Sequence, residues 1–346
     1  MFYIHQSSCI CHQPTFSDVD LELVKPSDNN RIYAIEPQYT SVPLGQLRRM
    51  GRALRMGVGT GMHLLQHQKV DGILVGTANG GIEDSIMFLN QIMEYDEGRL
   101  TPTHFVQSTY NAIAGTIGMI TKTKGYNATH VHRGLAFENV VLDVAMLLRE
   151  NPNNVYLIGG VDEISERNHR LVSLAGWYKT EATLNTELYD IDTAGTLPGE
   201  GSAMFLVNNI AENATAKLRA VKMVSSSSVS HVSEQLQAFL NESLLPGETI
   251  DLLLHGENGD NRLLKYYTAC ESIFDEKTTI GRFKHLTGEF QTVSALAVWM
   301  ACYFLQSNSL PSNVVKKKGN NSAVKRILIY NNYQGAQHGF FLIEKV

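Results

Sequence analysis

Several side chains able to do acid-base chemistry sit where strands end or helices begin. His132-Arg133-Gly134 opens a helix, and His255 closes a strand in Leu254-His255-Gly256-Glu257-Asn258-Gly259. Lys284-His285-Leu286-Thr287-Gly288-Glu289 holds a lysine and a glutamate five residues apart, and His338 lies near the end of the glycine-containing run from Asn331 to Gly339. Histidine is the side chain that titrates nearest neutral pH, so such positions suit proton transfer or donation to a developing negative charge. Each also has a plain reading: a strand-end histidine that is simply hydrogen-bonded, a Lys284–Glu289 structural ion pair, a polar loop histidine. The four cysteines, Cys9, Cys11, Cys270 and Cys302, lack paired CxxC spacing and read as free thiols with no metal role. Gly76-Thr77-Ala78-Asn79-Gly80-Gly81 joins a strand to a helix but matches neither GxGxxG nor the P-loop, so it reads as a tight turn, and no cofactor is called for.

The elements that must position these residues belong to a chain of 346 residues, 43% hydrophobic and 18% charged, with 28 glycines. That composition is globular α/β. The formal net charge of -5 argues against a nucleic-acid partner. No apolar run approaches the roughly 20 residues that span a bilayer, and the N-terminus lacks signal-peptide character, so the cytoplasm is the expected compartment.

Strand and helix signals alternate throughout. A strand from Tyr3 to Cys11 precedes a helix from Leu44 to His67, expected to be interrupted at Gly57 to Gly61. A strand at Gly72 to Val75, a helix at Ile82 to Met93, a strand at Ala128 to His132, a helix at Leu135 to Arg149 and strands at Val155 to Ile158 and Ala203 to Val207 complete the first half. The second half repeats the scheme, with strands at Leu218 to Val224, Ile250 to Leu254, Arg326 to Tyr330 and Gly339 to Glu344, and helices at Glu234 to Leu244, Arg262 to Phe274 and Thr292 to Leu305. The polar stretch Asn208 to Asn213 separates halves at 1–208 and 209–346, and Lys316-Lys317-Lys318 reads as a solvated loop.

Thr101-Pro102-Thr103-His104-Phe105-Val106-Gln107-Ser108-Thr109-Tyr110-Asn111-Ala112-Ile113-Ala114-Gly115 closely resembles a segment of the β-ketoacyl-acyl-carrier-protein synthases. Gly72 to Thr77 is similar to that family's early strand and turn, Gly159-Gly160 with Asp162-Glu163 to its "GGAE" turn, and Pro198 to Ala203 to its "GEGA" segment. Their order and spacing resemble a ketosynthase of the thiolase superfamily along nearly the whole chain. The resemblance implies the five-layer αβαβα thiolase fold with two duplicated halves, normally dimeric. It puts Thr103, Ser108 and Asn111 at the subunit interface.

The departures are as informative. Active members carry a cysteine at the start of the buried central helix, where helix-end amides stabilise a thiolate. Here that position falls on Gly134, within one residue, beside His132 and Arg133. His255 is the counterpart of the first catalytic histidine in "HGTGT". Lys284 matches the lysine of "KSxxGH", but Glu289 replaces the second histidine; an ionised glutamate about 4 Å from a substrate carboxylate would repel it by roughly 4 kcal/mol. Gly335 falls where the gating phenylalanine of "NSFGFGGTN" stands, with His338 as a further pocket candidate. The resemblance therefore implies a non-condensing subunit, similar to the chain-length factors of polyketide and aryl polyene pathways, working with acyl carrier protein and an active ketosynthase. A self-pair and a mixed pair both stay open, as does whether the chain is an enzyme. The alternatives are an atypical synthase using His132, His255, Lys284 and Glu289 as another acid-base set, and a non-catalytic scaffolding or binding protein.

Overall fold

The computed structural model describes residues 2–96, 98, 100–321 and 323–346. Its first half contains β1 (Phe2–Ile10), α1 (Leu44–Leu47), α2 (Arg52–Leu64), β2 (Gly72–Gly76), α3 (Ile82–Glu94), α4 (Pro102–Gln107) and α5 (Ala112–Thr121). It continues with β3 (Tyr126–His130), α6 (Ala136–Glu150), β4 (Tyr156–Asp162), α7 (Glu166–Leu174) and β5 (Gly201–Asn208). The second half contains β6 (Ala216–Ser225), α8 (Val229–Ser243), β7 (Leu252–His255), α9 (Leu264–Glu271), β8 (Thr279–Arg282) and α10 (Lys284–Thr287). It closes with α11 (Ser294–Ser307), β9 (Val315–Lys317), β10 (Arg326–Tyr333) and β11 (Gln337–Glu344).

The strand order exposes a duplication. In the first half β2 runs parallel to both β3 and β4, β4 pairs antiparallel with β5, and β5 with β1. In the second, β7 runs parallel to both β8 and β10, β10 pairs antiparallel with β11, and β11 with β6. The orders 3-2-4-5-1 and 8-7-10-11-6 are one pattern used twice, with β9 added at one edge and a short β1–β6 pairing joining the sets.

Packing gives the layers. α2 and α5 cover the outer face of the first sheet through Val58, Met62, Ile113 and Ile117. α8 and α9 cover the outer face of the second through Val232, Leu236, Tyr266 and Tyr267. Between the sheets lie α6 and α11, whose Phe137, Val141, Leu296 and Met300 share one core with Ile158, Phe205, Ile329 and Phe341. This is the five-layer arrangement. α11 is buried almost all round, which explains why its sequence is apolar on every face.

Two expectations need correction. The break between α1 and α2 falls at Arg48–Gly51, and α2 runs uninterrupted through Gly57, Gly59 and Gly61. These glycines serve close packing: a Cβ would lie 2.7 Å from Ile113 at Gly57, 2.1 Å from Tyr39 at Gly59 and 2.9 Å from Ile117 at Gly61. The lysine triplet is not a wholly solvated loop either. Lys316 and Lys317 lie in β9, and the Lys316 ammonium is 2.6 Å from Glu257 and 2.7 Å from Glu271.

Candidate functional site

The turn between β3 and α6, the elbow at which the resemblance places a nucleophile, is strained. Arg133 takes a left-handed φ of 48°, a strained conformation for a residue with a side chain, and it is exposed. Gly134, next in the chain, is buried. A Cβ there would lie 2.2 Å from Cβ of Tyr333 and 2.6 Å from its Cγ, so Tyr333 occupies the space any side chain would need. The Gly134 amide donates to Oε1 of Gln337 at 3.0 Å. Tyr333 is anchored by Gln291, whose amide donates to the phenol at 3.1 Å, and burial pushes that phenol up to about 12.

Beside Tyr333 is a cavity of only about 20 Å³, lined among others by Tyr178, Thr196, Asn258, Glu289 and Gln334. That is room for about one water, against the roughly 300 Å³ or more of an ordinary ligand pocket. Of the residues singled out from the sequence, only Glu289 lines it. Glu289 pairs at 2.5 Å with Lys284 and accepts from Nδ2 of Asn258 at 2.7 Å. Burial lowers the pKa of Lys284, with Glu289 and Glu138 pulling the other way.

His255 serves a different cluster. Its Nδ1 accepts from the Glu257 amide at 3.3 Å, and its Nε2 lies 2.7 Å from Oε1 of Glu271 without the alignment of a hydrogen bond. The ring stacks on Tyr267 with centroids 5.2 Å apart. Burial lowers the histidine's pKa against the pull of Glu271 and Glu257. His255, Glu257 and Glu271 bring ligand atoms within 4.8 Å of one another, but Lys316 bridges both carboxylates and Arg282 pairs with Glu257 at 3.1 Å, so the chain supplies its own cations.

The remaining candidates are dispersed. His132 is exposed and its Nδ1 accepts from Asn139 at 2.9 Å. Gly335 forms the β10–β11 turn at φ 67°, against Leu263 and Tyr266. His338 is buried between the Tyr330 hydroxyl at 3.0 Å and the Ser226 carbonyl at 2.9 Å, and burial brings it down to about 4. Thr103 is half-buried in α4, and the Ser108 hydroxyl donates to the Phe105 carbonyl at 2.7 Å. Asn111 braces the edge strand β3, accepting from Thr129 at 2.8 Å and donating to Asn127 at 3.1 Å.

Three carboxylates anchor the framework around the elbow. Asp162 accepts from the Thr77 hydroxyl at 3.0 Å, the Ala78 and Asn79 amides at 2.8 Å each, and the Thr292 hydroxyl at 2.9 Å. Glu163 accepts from the Ala53 amide at the start of α2 at 3.0 Å, and burial, with Glu200, Glu83 and Asp84 nearby, raises it to about 7. Glu200 is buried against Arg52, the Ala34 amide and the Ile164 amide.

Sequence reasoning passed over Tyr333, Gln337 and Glu138. Glu138, in α6, is wholly buried with no hydrogen-bond partner for either oxygen among the described residues, and burial pushes it up to about 8. Its spacing of three and seven residues from buried Val141 and Ala145 is a signal that it shares their face.

This five-layer, internally duplicated architecture is the thiolase-like fold. Residues 25–173 match the family described as "Beta-ketoacyl synthase, N-terminal domain", and the resemblance to ketosynthases is borne out. Across the whole chain the fold is similar to a beta-ketoacyl synthase from Burkholderia phymatum, with a TM-score of 0.80, 14% identity, and coverage of 100% of this chain and 99% of that one. It is also similar to the ishigamide ketosynthase/chain length factor (TM-score 0.77, 13% identity, 100% and 99% covered). A third likeness is to the ketosynthase ApeO in complex with its chain length factor ApeC from Xenorhabdus doucetiae (TM-score 0.76, 11% identity, 100% and 98% covered). At these identities the likeness carries the fold. No curated protein matches the chain in sequence.

Proposed function

We propose that this chain is a non-condensing ketosynthase-like subunit that pairs with an active, cysteine-bearing ketosynthase in carrier-protein-dependent polyketide or fatty acid assembly, aryl polyenes included. The observation that carries the reading is the elbow itself. Covalent acyl transfer needs a nucleophile, a free oxyanion donor and room for a thioester; Tyr333 fills the first place, Gln337 takes the donor, and about 20 Å³ remains. Glu289 adds a carboxylate where malonyl decarboxylation would need a donor.

The outer surface supports a partner. β3 is an open sheet edge, and more than half of the large exposed apolar side chains of the described residues lie between positions 87 and 146. Met119, Tyr126, Val131, Leu142 and Met146 are among them, on or beside that strand. Solved relatives include a ketosynthase bound to its chain length factor and an acyl-carrier protein bound to its ketosynthase, which fits both partners. In this reading Thr103, Ser108 and Asn111 lie at or brace the paired face, and Gly134 marks a silent site. Among the described residues no helix is long and apolar enough to cross a membrane, and the cytoplasm is the compartment this role expects.

The atypical-synthase alternative finds little support, because His132, His255, Lys284 and Glu289 do not share a cavity. Purified chain incubated with acyl- and malonyl-carrier protein should stay unacylated by intact mass and form no condensation product, and Gly134→Cys should not restore either. Condensation or an acyl adduct on the isolated protein would overturn the proposal.

A further inference from the structure

From Gly98 to Phe137 the sequence contains no aspartate or glutamate. This run includes β3 and both of its flanks. Before the strand come Lys122 and Lys124; after it come His132 and Arg133; all four are exposed, and none is ion-paired among the described residues. The acid that faces the strand from α6, Asp143, is already engaged by His130 at 2.8 Å and by the Tyr126 hydroxyl at 3.1 Å. The other acid of that part of α6, Glu138, is buried, and α5 contributes none.

An open edge strand pairs most simply with another strand, and two copies of one chain would do so about a two-fold axis. For antiparallel pairing centred on Ala128, Lys124 of one copy falls opposite His132 of the other, and Lys122 falls beside Arg133 and Gly134. A slip of two residues one way sets Lys124 opposite His130 and Lys122 opposite His132, and the other way leaves Lys124 beside Arg133, so the lysines meet no acid in these registers. The apolar side chains Val131, Met119, Leu142 and Met146 supply non-selective affinity, so the flanking charges decide the choice between partners.

We infer that the β3 edge selects against a second copy of this chain and for a different chain whose matching strand is flanked by acidic residues. This rests on the reading of β3 as the partner face and adds the chemistry that specifies the partner. A silent subunit gains from such a device, because self-pairs would contain no working site.

The test is self-association of the full chain, by analytical ultracentrifugation, for the wild type and for the double variant Lys122→Glu with Lys124→Glu. Both lysines are exposed, and matching thermal melts would show that the fold is kept; Lys124→Glu alone serves as the milder version. In low salt the wild type should self-associate weakly. The double variant should do so about tenfold or more tightly, since each substitution counts twice across a two-fold interface. Raising salt toward about 1 M, where the Debye length falls to about 3 Å, should strengthen the wild-type self-pair and weaken the variant's. The opposite signs separate screening from general salting-out. A wild-type homodimer that is tight at low salt, or a variant no more associated than the wild type, would overturn the inference. If that homodimer still failed to condense, the non-condensing reading would survive on its own.

Discussion

Asp162 and Glu138 are both carboxylic side chains with no solvent exposure, yet they sit in opposite circumstances. Asp162, at the end of β4, accepts from four donors and stitches the Gly76–Gly81 turn to the approach of α11. Glu138 lies in α6 against Gly339, where a Cβ would come within 2.4 Å of its Oε1, and it has no aligned partner. Burial raises the pKa of both; for Asp162 the four donors resist, whereas for Glu138 the nearby Ser294 and Lys284 offset little. The acid that ends β4 is fully matched, while the acid in α6 is buried without an aligned partner among the described residues.

The largest effect that would sharpen this contrast is a pH dependence of stability. A folded-state pKa of about 8 for Glu138 lies well above an unfolded value near 4.3. The folded state therefore binds the extra proton between those values. The resulting stability is fully present below about pH 4 and is lost as pH rises through about 8, a change on the order of 5 kcal/mol. Glu138→Gln should remove that dependence and be more stable than the wild type at pH 9, as read from urea midpoints. Equal slopes in the two proteins would mean that Glu138 has found a charged partner, and the contrast would collapse.

Asp162→Ala comes next. It would leave two backbone amides and two hydroxyls unpaired in the interior, and a loss of about 4 kcal/mol is expected at neutral pH, measured by denaturant unfolding. Asp162→Asn, which keeps an acceptor oxygen, should lose less. A loss below about 1 kcal/mol for the alanine variant would show that the turn is held by its own geometry.

The sequence displayed one side of this contrast far better than the other. Asp162, Glu163 and Glu200 fall within short glycine-rich motifs, so their place at strand ends and turns could be read directly, as could the alternation of strands and helices that becomes two copies of one sheet pattern. Tyr333 over Gly134 was not legible, because it is a contact across 199 residues that depends on how tightly the β10–β11 hairpin turns at Gly335. The glycines of α2 misled for a related reason. Gly57, Gly59 and Gly61 weaken a helix by propensity, but their role is to let Ile113, Ile117 and Tyr39 approach, and packing outweighs the propensity cost. His255 was legible as a strand-end histidine; that its ring would serve Glu271 and a neighbouring Lys316 depends on β9, a three-residue strand with no periodicity to detect.

The smallest effect tests whether Asp162 acts as a bridge between the halves or only within its own. Of its four donors three belong to the Thr77–Asn79 turn of the first half, and one, Thr292, comes from the second. Thr292→Val keeps the side-chain shape and removes that single bond, so about 1 kcal/mol should be lost, since Asp162 retains three donors. Thr77→Val should cost more, because the Thr77 hydroxyl also accepts from the Gly80 amide at 2.8 Å. The two changes share one carboxylate, and the double variant should therefore depart from additivity by at least about 0.5 kcal/mol. Strict additivity would mean that each hydroxyl stabilises its own segment independently, and that the halves are joined by the α6–α11 core instead of by this acid.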